Sequence, residues 1–113
     1  MDAPGYTYRA IVTGVYDGDT VTVDIDLGLS TWVHGEKLRL HRIDAPEVRG
    51  ADRPAGLESR DWLREKVLGK TVIIQTVKDR KGKYGRYLAE IWLNRQNVND
   101  LIVAAGHAEY RDY

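Results

Sequence analysis

The 113 residues are one domain's length of chain, 42% apolar and 30% charged, with no cysteine. That excludes disulfides, zinc–thiolate centres and cysteine nucleophiles, while leaving the redox compartment open. Seventeen Lys/Arg balance seventeen Asp/Glu, yet residues 1–47 hold four basic against eight acidic groups and residues 48–113 hold thirteen against nine. An acidic half followed by a basic half suits a site holding a cation beside an anionic substrate, and equally a solvated surface that is uneven by chance.

In chain order, YRAIVTGVY (8–16) reads as a strand and Asp17-Gly18 as a tight connection. TVTVDIDLGL (20–29) alternates Val21, Val23, Ile25, Leu27 and Leu29 with polar residues, a period-2 strand with one buried face. STWVHGE (30–36) is a connection, and KLRLHRID (37–44) a third strand that Pro46 keeps from continuing as a regular ladder. Over 54–68 the period becomes helical: Leu57, Trp62 or Leu63, and Val67 share a face, and Gly69 is a stop. TVIIQTV (71–77) and RYLAEIWLN (86–94) return to strand character, with a polar loop at 78–85. Residues 97–108 form a second helix on Val98, Leu101, Ile102 and Ala105, capped by Asn97 and ended by Gly106. Three strands, a helix, two strands and a helix is the order of a five-stranded OB-fold barrel, a mainly β, α+β architecture in a single domain over 1–113.

Three stretches carry chemistry. In YDGDTV (16–21), Asp19 is either a turn cap or a metal ligand at a strand start. In RLHRIDAPE (39–47), alternation puts Arg39, His41 and Ile43 on one side and Leu40, Arg42 and Asp44 on the other, and a buried Asp44 needs a partner. Bringing Asp44 beside Asp19 is unfavourable unless a cation lies between them. Calcium suits two carboxylates completed by carbonyls and water, with weak affinity of about 10⁻⁴ M. The simpler alternative is a salt bridge of Arg39 with Asp44 or Glu47. In KDRKGKYGR (78–86), a basic run around Tyr84 leads to Arg86 at the start of a strand, where a held guanidinium binds phosphate in a bidentate fork. A solvated basic loop explains the same run.

Taken together, DGDT, LRLHRIDAPE, GLES, KYGR and VNDLIVAAGHA, in that order from about Tyr8 to Tyr113, resemble the staphylococcal (micrococcal) nuclease family. The resemblance implies an OB barrel with packed helices and calcium-dependent hydrolysis of DNA and RNA to 3′-phosphate and 5′-hydroxyl ends, single strands favoured. It implies a calcium site at Asp19, Asp44 and the carbonyl of Ala45, where the family has threonine. It further implies Glu47 as the water-orienting base, Arg39 and Arg86 as phosphate ligands, and nucleotide contacts at Lys83 and Tyr84. Of the terminal tyrosines, Tyr110 and Tyr113, it puts Tyr113 forward for stacking. The loop after Glu47 is shorter than the family's, the connection through 30–36 longer, and the family's third C-terminal helix is missing.

The first fifteen residues lack a charged start and apolar run, and no stretch approaches a membrane span. The expectation is a soluble monomer with no membrane partner, cytoplasmic as it stands and secreted if a leader was removed. The rival functions are a non-catalytic OB module binding single strands through a basic groove and aromatics, and a structural barrel.

Overall fold

The computed structural model describes residues 6–81 and 85–111; the side chains of 78–81 are not described. Five long strands make a closed barrel with OB topology. β1 (Thr7–Asp17), β2 (Thr20–Gly28) and β3 (Thr31–Leu40) form an antiparallel meander. β5 (Thr71–Lys81) pairs with β1, and β6 (Tyr87–Leu93) pairs with β5. A parallel pairing of β3 with β6, Leu38 against Tyr87 through Leu40 against Ala89, closes the sheet. Two-residue strands β4 (Ile43–Asp44) and β8 (Glu109–Tyr110) pair with one another beside the barrel, and β7 (Gln96–Asn97) extends β6.

The barrel forms because alternate residues point inward: Val21, Val23 and Ile25 on β2, Leu38 and Leu40 on β3, and Ala89, Ile91 and Leu93 on β6 are all buried. Helix α1 (Arg53–Val67) closes one opening with Leu63 and Val67, and α2 (Val98–Ala104) packs Val98 and Ile102 into the same continuous core. Asn97 caps α2 by accepting from the Asp100 N–H at 2.9 Å, and Gly69 and Gly106 take positive φ just past the two helices.

The structure corrects several sequence expectations. The alternation proposed through 37–44 breaks at His41-Arg42, where Arg42 adopts φ 69°, so Leu40 and Ile43 are both buried and Arg39 and Asp44 are both left facing outward. Residues 30–36 are not a loose connection. β2 and β3 continue past the barrel as a hairpin, turning at Leu29-Ser30, both at positive φ, so Leu27 and Leu29 stand in solvent rather than in the core. On α1 the buried face is Gly56, Ser59, Leu63 and Val67, with Leu57 only half-buried. Helix α2 stops at Ala104 rather than 108, and β5 runs on into 78–81, which had read as loop.

Candidate functional site

The site is built where β1 turns into β2. Opposite a regular β2, the end of β1 carries one extra residue: Val15 pairs with Val21 and Asp17 with Thr20, leaving Tyr16 as a bulge. A bulge re-aims the residues around it, and here both Tyr16 and Asp17 line a cleft. The Asp17 carboxylate accepts from the Asp19 N–H at 3.0 Å, so the turn is capped by Asp17 and not by Asp19. Gly18 is needed between them because a Cβ there would overlap the Ser59 side chain and press on Ala45. That close approach presses the turn onto α1 and onto the 44–46 segment.

Asp19 is thereby buried, and its Oδ2 accepts from the Ala45 N–H at 2.9 Å. Arg39, opposite Thr20 on β3, directs its guanidinium to the same place. Its Nη2 lies 3.3 Å from Asp19 Oδ2 and 3.2 Å from Asp44 Oδ1, while its Nη1 donates to the carbonyls of Leu40 and Ile43 at 2.9 and 3.0 Å. The 41–42 turn is what makes this possible, by bringing Asp44 back beside the strand that carries Arg39. Asp19 and Asp44 therefore do converge, and the simple Arg39–Asp44 salt bridge is present as well. Asp44 also accepts from Arg111 Nη1 at 2.8 Å.

Arg86, just before β6, donates from Nη1 to Thr20 Oγ1 at 3.1 Å and so faces the same cleft. Glu47 is exposed on the rim and touches both this cleft and a second, acid-lined one beside β8. Its peptide is held by Gly56 of α1, where a Cβ would collide with the Glu47 carbonyl. Lys83, Tyr84 and Tyr113 lie outside the described residues. Tyr110 is turned to another cluster, its hydroxyl donating to Asp100 at 2.9 Å and its ring under Arg42.

Sequence reasoning missed four contributors. Asp17 read as turn chemistry, although DGD already offered two carboxylates two residues apart. Burial, then the hydrogen bond and negative charge of Asp19, push its carboxyl up to about 7. Gly56 and Ser59 carried no apolar signal. Ser59 Oγ donates to the His107 carbonyl at 2.6 Å, tying α1 to the C-terminal segment. Buried Asn99 donates to the carbonyls of His41 and Ala89, each at 3.0 Å, and accepts from Ile91 N–H at 3.1 Å, pinning the 41–42 turn to β6.

The donor set fits a hard cation. Burial first, and then the neighbouring Asp19, make the charged form of Asp17 unfavourable, and a cation beside the two acids would relieve that. Among the described residues no three carboxylate or imidazole groups converge on one point, so protein side chains would supply only part of a coordination sphere. No helix among the described residues is long and apolar enough to cross a membrane.

The pattern of the family described as "Staphylococcal nuclease homologue" matches residues 37–113. The chain is 31% identical to a thermonuclease of Staphylococcus hyicus over 95% of its own length and 60% of that protein's. It is 29% identical to a thermonuclease of Staphylococcus intermedius over 99% and 64% respectively. An uncharacterized endonuclease of Haemophilus influenzae is 36% identical over 90% of this chain and 52% of its own. The chain thus spans roughly half to two thirds of the length of these relatives. A buried Asp19 and a converging Asp44 and Arg39 on an OB barrel, with this similarity over most of the chain, make it a member of the staphylococcal nuclease family.

Proposed function

We propose that residues 1–113 act as a single domain, and as a calcium-dependent nuclease that hydrolyses DNA and RNA, leaving 3′-phosphate and 5′-hydroxyl ends. The observation that most supports this reading is the convergence of Asp19 and Asp44 on Arg39 Nη2, at 3.3 and 3.2 Å, near Arg86 and Glu47, which line a cleft together with Thr20 and Asp17. Asp19, Asp44 and the main-chain carbonyl of Ala45 would hold calcium, which when bound supplies Lewis-acid neutralisation of a phosphate oxygen.

The chain's own residues do the rest. Arg39 and Arg86 hold the other phosphate oxygens, and their attraction strengthens as the attacked phosphate gains charge, which is where tighter contact accelerates the reaction. Buried side-chain and backbone contacts hold Arg39 in place before substrate arrives, so little reorganisation is left for the reaction itself. Glu47, exposed and carried by a peptide that Gly56 fixes, takes the proton from the attacking water or orients that water in line. Pro46, next to it, restricts the turn that aims it. Arg39 sits beside acidic groups because together they handle opposite sides of one phosphodiester.

The rival reading, a non-catalytic barrel that binds single strands, draws on one observation: Arg39 already spans both carboxylates, as in a closed ion-pair cluster. A single experiment separates them. Plasmid and single-stranded DNA and RNA are incubated with calcium or with chelator, for the parent and for Glu47→Gln. Calcium-dependent cutting by the parent, lowered at least about 10²-fold in Glu47→Gln with calcium binding retained, supports the nuclease. A gel shift with no cutting supports the module, and loss of calcium binding in Glu47→Gln would make Glu47 a metal ligand.

A further inference from the structure

The cleft is larger than one phosphate requires. It encloses about 620 Å³, and its lining continues from the proposed catalytic groups to Tyr16, Thr22, Lys37 and Arg49. Three features set these residues apart from ordinary solvated surface. Lys37 lies opposite Thr22 just as Arg39 lies opposite Thr20, so the two cations occupy one face of β3, roughly 6.6 Å apart along the strand. The parallel register of Leu38 with Tyr87 puts Lys37 level with Arg86 on the other side. Lys37 therefore continues the row of phosphate-binding cations by one step.

Arg49 lines the same cleft from the loop that carries Glu47. Both Lys37 and Arg49 are exposed, and neither has a carboxylate partner among the described residues, in a chain with as many acids as bases. Tyr16 is the third feature. The bulge turns its ring outward at 56% exposure onto the cleft, and among the described residues it has no hydrogen-bond or ring partner. An aromatic ring held open beside two free cations matches the stacking-plus-phosphate chemistry of a nucleotide in a single strand.

We propose that Lys37, Arg49 and Tyr16 form a second nucleotide subsite, in which the two cations hold the phosphate next to the scissile one and Tyr16 stacks on a base. The subsite rests on the nuclease reading for what the neighbouring centre does, but binding can be read without cutting. It predicts that the enzyme works on strands of several nucleotides better than on the shortest substrates.

The test measures fluorescence anisotropy of a labelled dinucleotide and a labelled eight-nucleotide single strand, in chelator so that nothing is cut, at several salt concentrations. The proteins are the parent, Tyr16→Ala, Lys37→Gln, Arg49→Gln and the triple variant, each checked by thermal melting for an unchanged fold. The triple variant is expected to bind the longer strand at least tenfold more weakly and the dinucleotide less than threefold more weakly. Its salt slope should fall by about 1.4, roughly 0.7 for each lost cation on a single strand. Tyr16→Ala alone should cost roughly fivefold or more on the longer strand. Equal losses on both lengths, or no loss on either, overturn the subsite, as does a parent that binds no strand. Calcium-dependent cleavage by the parent is scored separately: length-dependent binding without cleavage removes the nuclease reading and leaves the subsite standing.

Discussion

Arg39 and Arg42 stand three residues apart, and each gathers two carboxylates, Asp19 and Asp44 for the first and Glu90 and Asp100 for the second. Around Arg42 the accounts of donors and acceptors balance. Its fork is bidentate to Glu90 at 3.0 and 2.7 Å, Asn97 donates to Glu90 at 2.9 Å, and Tyr110 donates to Asp100 at 2.9 Å. The hydrogen bonds and charge of Glu90, with Asp100 behind it, hold the Arg42 proton more tightly than usual. Beside Arg39 the arrangement differs: its partner Asp19 shares a turn with Asp17, and Asp17 is pushed up to about 7 by burial and by that neighbour. The same pairing of guanidinium with carboxylates is a clamp where each acid is met by several donors, and a candidate site where two acids crowd one turn beside an open cleft.

The clamp also has a backbone role. Arg42 sits at φ 69°, a left-handed conformation unfavourable for any side chain by about 1–2 kcal/mol. Its fork holds that conformation in place, and the turn it shapes returns Asp44 to Arg39. Asn99 pins the same turn to β6, so the fork is one of two supports for the geometry that the Arg39 cluster uses.

The sharpest way to break this distinction is Arg39→Ala. Activity is expected to fall at least about 10²-fold, as for loss of a charge-stabilising donor. Denaturant unfolding in chelator should show a loss of about 3 kcal/mol, because Asp19 is left buried without its guanidinium. If Arg42→Ala lowers the rate of folded protein as much, the two clusters are not different in kind. Next in size is calcium itself: at a hundredfold excess over Kd it should stabilise the parent by about 2.7 kcal/mol. That increment should vanish in Asp19→Asn and persist in Glu90→Gln, read as the calcium-dependent shift of the unfolding midpoint. A shift that persists in Asp19→Asn would remove Asp19 from the metal site.

Smaller effects sharpen the comparison. Arg42→Ala should cost about 1–2 kcal/mol for its charged hydrogen bonds, discounted because the side chain is partly exposed. Turnover per folded molecule at saturating calcium should stay within about threefold. The smallest effect separates fork from backbone: Arg42→Gly should be about 1 kcal/mol more stable than Arg42→Ala, since glycine carries no left-handed penalty. Equal stabilities would mean that the turn relaxes when the fork is lost.

Much of this was legible from residues alone. Period-2 alternation in 20–26 located β2 and its inward valines, and the 3.6-residue spacing of Val98 and Ile102 located α2, because both follow from burying one face. Asn97, Gly69 and Gly106 marked helix ends correctly, since capping and left-handed termini are local chemistry. Reading failed where the decision was not local. Leu27 and Leu29 fit the alternation perfectly and are exposed, because a hairpin longer than the barrel leaves its tip with nothing to cover it. Gly56 and Ser59 face inward because α1 must approach the Glu47–Val48 backbone at the one and the Gly18 turn and His107 at the other, a demand that no hydrophobic pattern expresses.

The sequence by itself determined the barrel order, the family and the residue types available for phosphate chemistry, because side-chain periodicity and motif order are properties of the chain. Only the tertiary structure decided that Arg39 and Asp44 would face the same way, since that depends on one reversed turn at Arg42 held by Glu90 and Asp100 from elsewhere in the chain. It also decided that Asp17 would be half-buried against Asp19 while Tyr16 turned outward. Both follow from a bulge, which exists only when two strands of unequal count are made to pair.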